Sequence, residues 1–281
     1  MGEELPLVSV IIPTWNSGRT LDLCMRSVIN QTYQKIEVIV VDGGSIDNTL
    51  EILSKYKVKI VKSKKRGRSF QRNIGVLNAC GELLLQVDSD EVLHPMLIEE
   101  CVKKVLVGKF EALFLPTFDT GFTYFGKSRC VGGYINLNLR KEKWIPNSAV
   151  RFYTKRVFET VNGYDENLLI GEDVIFALKC LRYKFRIDRC KSPIFHYATE
   201  DLKNILIKKY TYGKTYKNYK EAYKKFFPSS PSKMYAEVGI FYLKNLFKFK
   251  KLAKYIPGFL FVKLIEMLGL ILGAGIRGFF S

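Results

Sequence analysis

The chain has 281 residues, 47% of them hydrophobic and 14% aromatic, which excludes wholesale disorder and allows one large core with an appendage. Its formal net charge is +18, and residues 201–281 hold 16 Lys/Arg against 4 Asp/Glu, so the basic excess lies mainly in the last third. An anionic partner is expected there: lipid headgroups, nucleic acid or an acidic substrate. Six scattered cysteines without a C-x-x-C pair exclude a metal finger and suit reduced, buried thiols in a cytosolic setting. The opening MGEELPLVSV has acids where a secretory leader needs bases, and Pro6 stands where a myristoylation motif wants Ser or Thr. The catalytic part is therefore expected to stay unexported.

In chain order, VSVII (8–12) reads as a fully buried strand stopped by Pro13. Residues 20–31 carry apolar side chains at 21, 24, 25 and 28, the spacing of a helix face. EVIVV (37–41) is a second buried strand, and Gly43 and Gly44 permit a tight turn before a helix over 49–56. A short strand (57–61), a helix over 69–80 ended by Gly81, and a strand over 82–87 follow. Pro95 opens a helix to about 107, and 111–116 is strand again. Such alternation implies a mostly parallel sheet with helices on both faces, an α/β fold. Ligands of such sheets bind beyond the carboxyl ends of the strands, and PTWN (13–16), DGGS (42–45) and DSDE (88–91) all fall there. Residues 117–150 resist assignment. Order resumes over 151–183, with a helix beginning near Glu172 or Asp173.

The stretch LLLQVDSDEVL (83–93) sets a specific problem, because an apolar run ends in two aspartates one residue apart. If the extended backbone persisted, Asp88 and Asp90 would project together. Like charges held so close need a cation between them or raised pKa values.

Four segments together resemble one family. VSVIIPTWN is similar to the opening strand and PTYN turn of the inverting family-2 glycosyltransferases of the GT-A fold. VIVVDGGSIDNT is similar to their VVDDGSTDGT, and QRNIGVLNACGELLLQVDSDEVLHP to the stretch leading into their D-x-D loop. NGYDENLLIGEDVIFALK resembles their GGFDE…ED segment. The resemblance runs over roughly residues 7–215. It implies that Asp90, with Asp88, holds Mn²⁺ or Mg²⁺ against the diphosphate of a nucleotide sugar, as hard cations bind carboxylates together with phosphates. It also implies that Asp173 is the general base, oriented by Glu172, and that Pro13, Thr14, Trp15, Asp42 and Arg72 line the donor site. By the same likeness His196 would contact metal or phosphate, and Arg151 and Lys214 phosphate or acceptor. Gly43 stands where the family often has a second Asp, which leaves UDP or GDP open as the donor nucleotide.

The texture of the sequence changes beyond residue 200, which divides the chain into a catalytic domain (1–200) and a C-terminal region (201–281). In that region Tyr212, Tyr216, Tyr219, Tyr223 and Phe226 interleave with lysines, a texture suited to base stacking or to a membrane interface. Residues 256–276 are apolar apart from Lys263 and Glu266, long enough to span a bilayer; the two charges share one helix face, which favours a helix lying in the interface. The expectation is a membrane surface partner, no nucleic acid, a position on the cytoplasmic face and a lipid-linked acceptor. The alternative is a non-catalytic nucleotide-fold protein that binds membrane or nucleic acid through this region. The set Asp88, Asp90 and Asp173 argues against it.

Overall fold

A computed structural model describes residues 5–139, 149–197, 201–227, 231–248 and 250–275. Residues 1–4, the domain boundary near 200 and the end of the apolar run at 276 lie outside them. In chain order the strands and helices are β1 (Val8–Thr14), α1 (Leu21–Ile29), β2 (Ile36–Asp42), α2 (Thr49–Leu53), β3 (Lys59–Lys62), α3 (Arg68–Leu77), β4 (Leu83–Gln86), β5 (Glu91–Leu93), α4 (Leu97–Leu106) and β6 (Ala112–Phe114). They continue with β7 (Thr117–Thr120), α5 (Tyr124–Leu139), β8 (Val150–Thr154), α6 (Lys155–Thr160), α7 (Glu172–Arg182), β9 (Ile187–Arg189) and β10 (Ile194–Tyr197). The last helices are α8 (Leu202–Lys214), α9 (Tyr216–Lys224), α10 (Pro231–Asn245) and α11 (Ile256–Ala274). Two compact units result: Met1–Pro116 with Asn147–Glu166 and Glu172–Phe195, and Thr117–Pro146 with Asn167–Gly171 and His196–Ser281.

The first unit is built on a seven-stranded sheet of order β3-β2-β1-β4-β8-β6-β9. β1 pairs in parallel with β2 and β4, and β2 with β3; β8 runs antiparallel between β4 and β6. Continuous burial of β1 explains its unbroken apolar sequence, since a central strand is covered on both faces. Register does the positioning. Thr14 stands opposite Asp42 and Ile11 opposite Gln86, so β1, β2 and β4 release their next residues at one edge.

The second unit contains α5 within the segment that the sequence left unassigned, and α8–α11. The tyrosines do not form an exposed basic–aromatic face: Tyr216, Tyr219 and Tyr223 are buried and meet edge to face, Tyr216 with Tyr219 at 6.1 Å and Tyr219 with Tyr223 at 5.9 Å. Their 3- and 4-residue spacing is a core stripe. Lys251–Ala274 is long and apolar enough to cross a membrane by length and composition. One face of α11 is nevertheless packed against its own unit through Phe259, Val262, Glu266 and Leu270. The crossing with α8 is close: a Cβ on Gly273 would lie 2.1 Å from Tyr210 O, so only glycine admits this approach. The opposite face leaves Leu260, Phe261, Leu264, Met267, Leu268 and Leu272 exposed.

Candidate active site

At the carboxyl edge of the sheet, the turn after β1 and the turn after β2 are sewn together. Gly43 N donates to Thr14 O at 2.9 Å, and Gln71 Nε2 from α3 donates to Thr14 O at 2.9 Å and to Val41 O at 2.7 Å. A Cβ at position 43 would lie 3.2 Å from Gln71 Nε2, so Gln71 occupies the space beside the glycine that replaces the family's second Asp. Asp42 is buried, and its carboxylate accepts from Ser45 Oγ at 2.6 Å and from the Gly44 and Ser45 amides. That local turn fixes the carboxylate's orientation. Pro13 is buried, the Thr14 hydroxyl is buried without a hydrogen-bond partner among the described residues, and Trp15 is 46% exposed with the Arg66 guanidinium 4.4 Å from its ring centroid.

The D-x-D segment answers the problem of the paired aspartates differently from the expectation. β4 ends at Gln86, and residues 88–91 form a turn closed by Glu91 N donating to Asp88 O at 3.0 Å, so the extended geometry does not persist. Arginines meet the Asp88 charge. Arg72 Nη2 donates to Asp88 Oδ1 at 2.7 Å and Arg151 Nη2 to Asp88 Oδ2 at 3.2 Å. Burial alone would lift the Asp88 carboxyl, but Arg72, Arg151 and Arg68 hold it well below the ordinary carboxylate range. Arg151 also binds the buried Glu91 at 3.0 Å, and Glu91 accepts from the Asp88 amide at 2.8 Å.

The lattice continues to α7. Arg72, only 2% exposed, lies 5.3 Å from the Tyr164 ring centroid and reaches Glu172 Oε1 at 3.3 Å, where Arg68 also arrives at 3.3 Å. Burial pushes the Glu172 carboxyl up against the pull of these arginines, with the neighbouring Asp173 adding to the rise. Asp173 itself is half-buried at the first turn of α7, where its Oδ1 accepts from the Val174 amide at 2.8 Å. One ionic chain, Glu91–Arg151–Asp88–Arg72–Glu172, thus joins the D-x-D turn, β8, α3 and the start of α7. Sequence reasoning left Arg68, Glu91 and Gln71 out of this assembly. Arg68 and Arg72 are four apart on one helix and Glu91 is three residues beyond Asp88, signals that local spacing did carry.

The structure therefore brings Pro13, Thr14, Trp15, Asp42, Arg72, Asp88, Asp90, Arg151, Glu172 and Asp173 into the first unit, whereas His196 and Lys214 belong to the second. His196 Nδ1 lies 2.7 Å from Asp119 Oδ1. Lys214, exposed at the end of α8, lies 4.7 Å from the Tyr210 ring centroid. Among the described residues, no group of three or more His, Cys, Asp or Glu side chains is gathered as metal ligands. A divalent ion at Asp90 would draw its remaining oxygens from substrate and water. That set suits Mg²⁺ or Mn²⁺, which is commonly held by one or two carboxylates plus substrate phosphates.

Residues 9–158 match the family described as glycosyl transferase family 2, and the chain belongs to that family. It is 29% identical over 213 residues to the chondroitin synthase of Pasteurella multocida (strain Pm70), an alignment covering 72% of this chain and 22% of that protein. The chain thus spans about a fifth of that relative's length. Its fold is similar to that of S. aureus TarS 1-349, solved in complex with UDP-GlcNAc (TM-score 0.56, 17% identity, 96% of this chain and 91% of that one). It is also similar to the mannosyltransferase PcManGT from Pyrobaculum calidifontis, solved with GDP-Man and Mn²⁺ (TM-score 0.63, 14% identity, 98% and 89% covered). These likenesses establish a GT-A-like α/β fold with a glycosyltransferase domain.

Proposed function

We propose that the protein transfers a sugar, with inversion, from a UDP- or GDP-linked donor to a lipid-linked acceptor at a membrane surface, with Mn²⁺ or Mg²⁺ held at Asp90. The observation that carries this reading is the ionic chain from Glu91 to Glu172, which sets the D-x-D turn and the start of α7 in one rigid frame. The donors named for the two neighbouring structures, UDP-GlcNAc and GDP-Man, support a nucleoside diphosphate sugar without choosing between the bases.

In this reading the crevice formed by Thr14, Trp15 and Asp42 receives the nucleoside. Asp90 faces the diphosphate, and a bound divalent ion would offset the charge that develops on the departing nucleoside diphosphate. Asp88, met by two arginines, orients the turn. Asp173 accepts the acceptor hydroxyl proton as that oxygen attacks the anomeric carbon from the face opposite the leaving group, which inverts the centre. Glu172, pinned by Arg68 and Arg72, fixes the α7 backbone and so the Asp173 carboxylate.

The membrane reading rests on α11. Its packed face leaves an outward stripe of Leu260, Phe261, Leu264, Met267, Leu268 and Leu272, and exposed Lys244, Lys248, Lys251 and Lys254 precede or flank it. Apolar burial with adjacent cations suits a helix lying in an anionic leaflet. Release of UDP or GDP from a panel of nucleotide sugars, with Mn²⁺ or Mg²⁺ and polyprenyl phosphate or lipid-linked oligosaccharide acceptors in vesicles, tests the whole assignment. No donor-dependent release with any acceptor would overturn it.

A further inference from the structure

One side chain of α3 holds the main chain of two strands at the carboxyl edge of the sheet. Gln71 is 4% exposed, and both bonds from its Nε2 end on backbone carbonyls: Thr14 O at the end of β1, at 2.9 Å, and Val41 O in β2, at 2.7 Å. That reach depends on how closely α3 approaches the strands. Gly75, one turn beyond Gln71, packs so tightly that a Cβ there would lie 2.3 Å from Ile11 Cγ2 and 3.3 Å from Val41 Cγ2. The next residue after Gln71 is Arg72, which bonds Asp88 and Glu172. α3 thus ties the ends of β1 and β2 beside its tie to the D-x-D turn. The turn after β2 is shaped to the same amide. A Cβ on Gly43 would lie 3.2 Å from Gln71 Nε2 and 3.4 Å from Thr14 O. Gly43 does not have a positive φ, so its backbone admits any residue and the Gln71 amide is what makes the position narrow. A carboxylate there would also compete with the two carbonyls for the amide's two hydrogens.

We infer that Gln71 is a positioning residue for the donor nucleotide and Gly43 its matched partner: the amide sets the turns that carry Thr14 and Asp42, and the absence of a side chain at 43 leaves the amide in place. The inference deepens the proposed nucleotide-sugar reading and rests on it, since in that reading Thr14 and Asp42 receive the nucleoside. A buried carbonyl that loses its donor is costly, so backbone freed from Gln71 shifts towards arrangements that restore a partner. Gly43 N also donates to Thr14 O, so a shift at Thr14 passes directly into the turn after β2. The turns then populate several arrangements, and apparent nucleotide affinity falls by the fraction left in the competent one.

Gln71→Met keeps the side chain's length and removes both donors. Calorimetry of the full-length protein with UDP and with GDP, each with Mn²⁺ and well below the melting temperature, should show affinity reduced by roughly ten-fold. In nucleoside diphosphate release, the donor KM should rise by the same factor while kcat stays within a few-fold, because the turns position the nucleoside and not the reacting atoms. A fall in kcat with donor affinity unchanged overturns the positioning role. Exchange at position 43 reads the same contact without deleting the amide. Gly43→Asp should weaken nucleotide binding in the wild-type background and add no further loss in Gln71→Ala, where the space is open. Losses that add in the double variant overturn the matched pair. A wild type that binds neither UDP nor GDP overturns the donor reading and the positioning role together. Wild-type binding that Gln71→Met leaves unchanged overturns the positioning role alone.

Discussion

Arg72 Nη2 donates to Asp88 Oδ1 across 2.7 Å from a side chain that is only 2% exposed. The same guanidinium reaches Glu172, so one buried cation meets carboxylates on the D-x-D turn and on α7. Removing it leaves Asp88 with Arg151 and Glu172 with Arg68. Arg72→Met should destabilise the protein by about 3 kcal/mol or more, the usual cost of breaking a buried pair from one side. Urea denaturation monitored by tryptophan fluorescence measures it. A loss below about 1 kcal/mol would show that the lattice is solvated in solution.

The lattice also predicts acid behaviour. The folded pKa of Asp88 lies well below the ordinary value of about 3.9, so its stabilisation is complete above that pH and disappears as pH falls through the folded value. Glu172 has the opposite sign. Its folded pKa is raised, so stability from this group improves as pH falls from the folded value towards the unfolded one, about 4.3. Arg151→Leu removes one of the cations that depress Asp88 and should start acid unfolding at a higher pH. Thermal melts between pH 2 and 7 read this out, and identical acid limbs for mutant and wild type would count against the assignment.

The two aspartates of the D-x-D turn should separate by phenotype. Asp88→Asn leaves Arg72 and Arg151 short of an anion and should lower the melting temperature. Asp90→Asn should leave the melt near wild type but weaken UDP or GDP binding only when Mn²⁺ is present. Calorimetry with and without the metal distinguishes them, and unchanged metal-dependent affinity in Asp90→Asn would remove Asp90 from the metal site.

Asp173→Asn keeps the side chain's size and its hydrogen bond from the Val174 amide but cannot take the acceptor proton. Transfer should fall by roughly 10²–10⁴-fold, with donor affinity within a few-fold of wild type. Turnover close to wild type would assign the base elsewhere.

The outward stripe of α11 is testable without disturbing its packed face. Leu264 and Leu268 are 54% and 43% exposed, so Leu264→Glu with Leu268→Glu should preserve folding. Wild-type protein should sediment with anionic liposomes and be released only in part by salt, since apolar burial is not screened. The double variant should stay in the supernatant. Equal sedimentation of the two proteins would place the membrane contact on another surface.

Local sequence pattern determined much of the fold. The buried strands at 8–12 and 37–41, the helices from 20 and 69, and the clustering of PTWN, DGGS and DSDE at strand ends follow from side-chain periodicity and turn residues, which act over a few positions. The motif order also picked out the aspartates and the start of α7. What the carboxylates do was decided by tertiary structure. Asp88 meets arginines 16 and 63 residues away, and Arg72 meets Glu172 across 100. No local pattern encodes such partners, because pairing requires the sheet register that brings α3, β8 and α7 to one edge. For the same reason, the tyrosine stripe of 216–223 carried a helical period but not the side on which it would be buried. Lys263 and Glu266 interrupt an apolar run on one helix face in the sequence; only folding gave Glu266 Arg129 as a further partner.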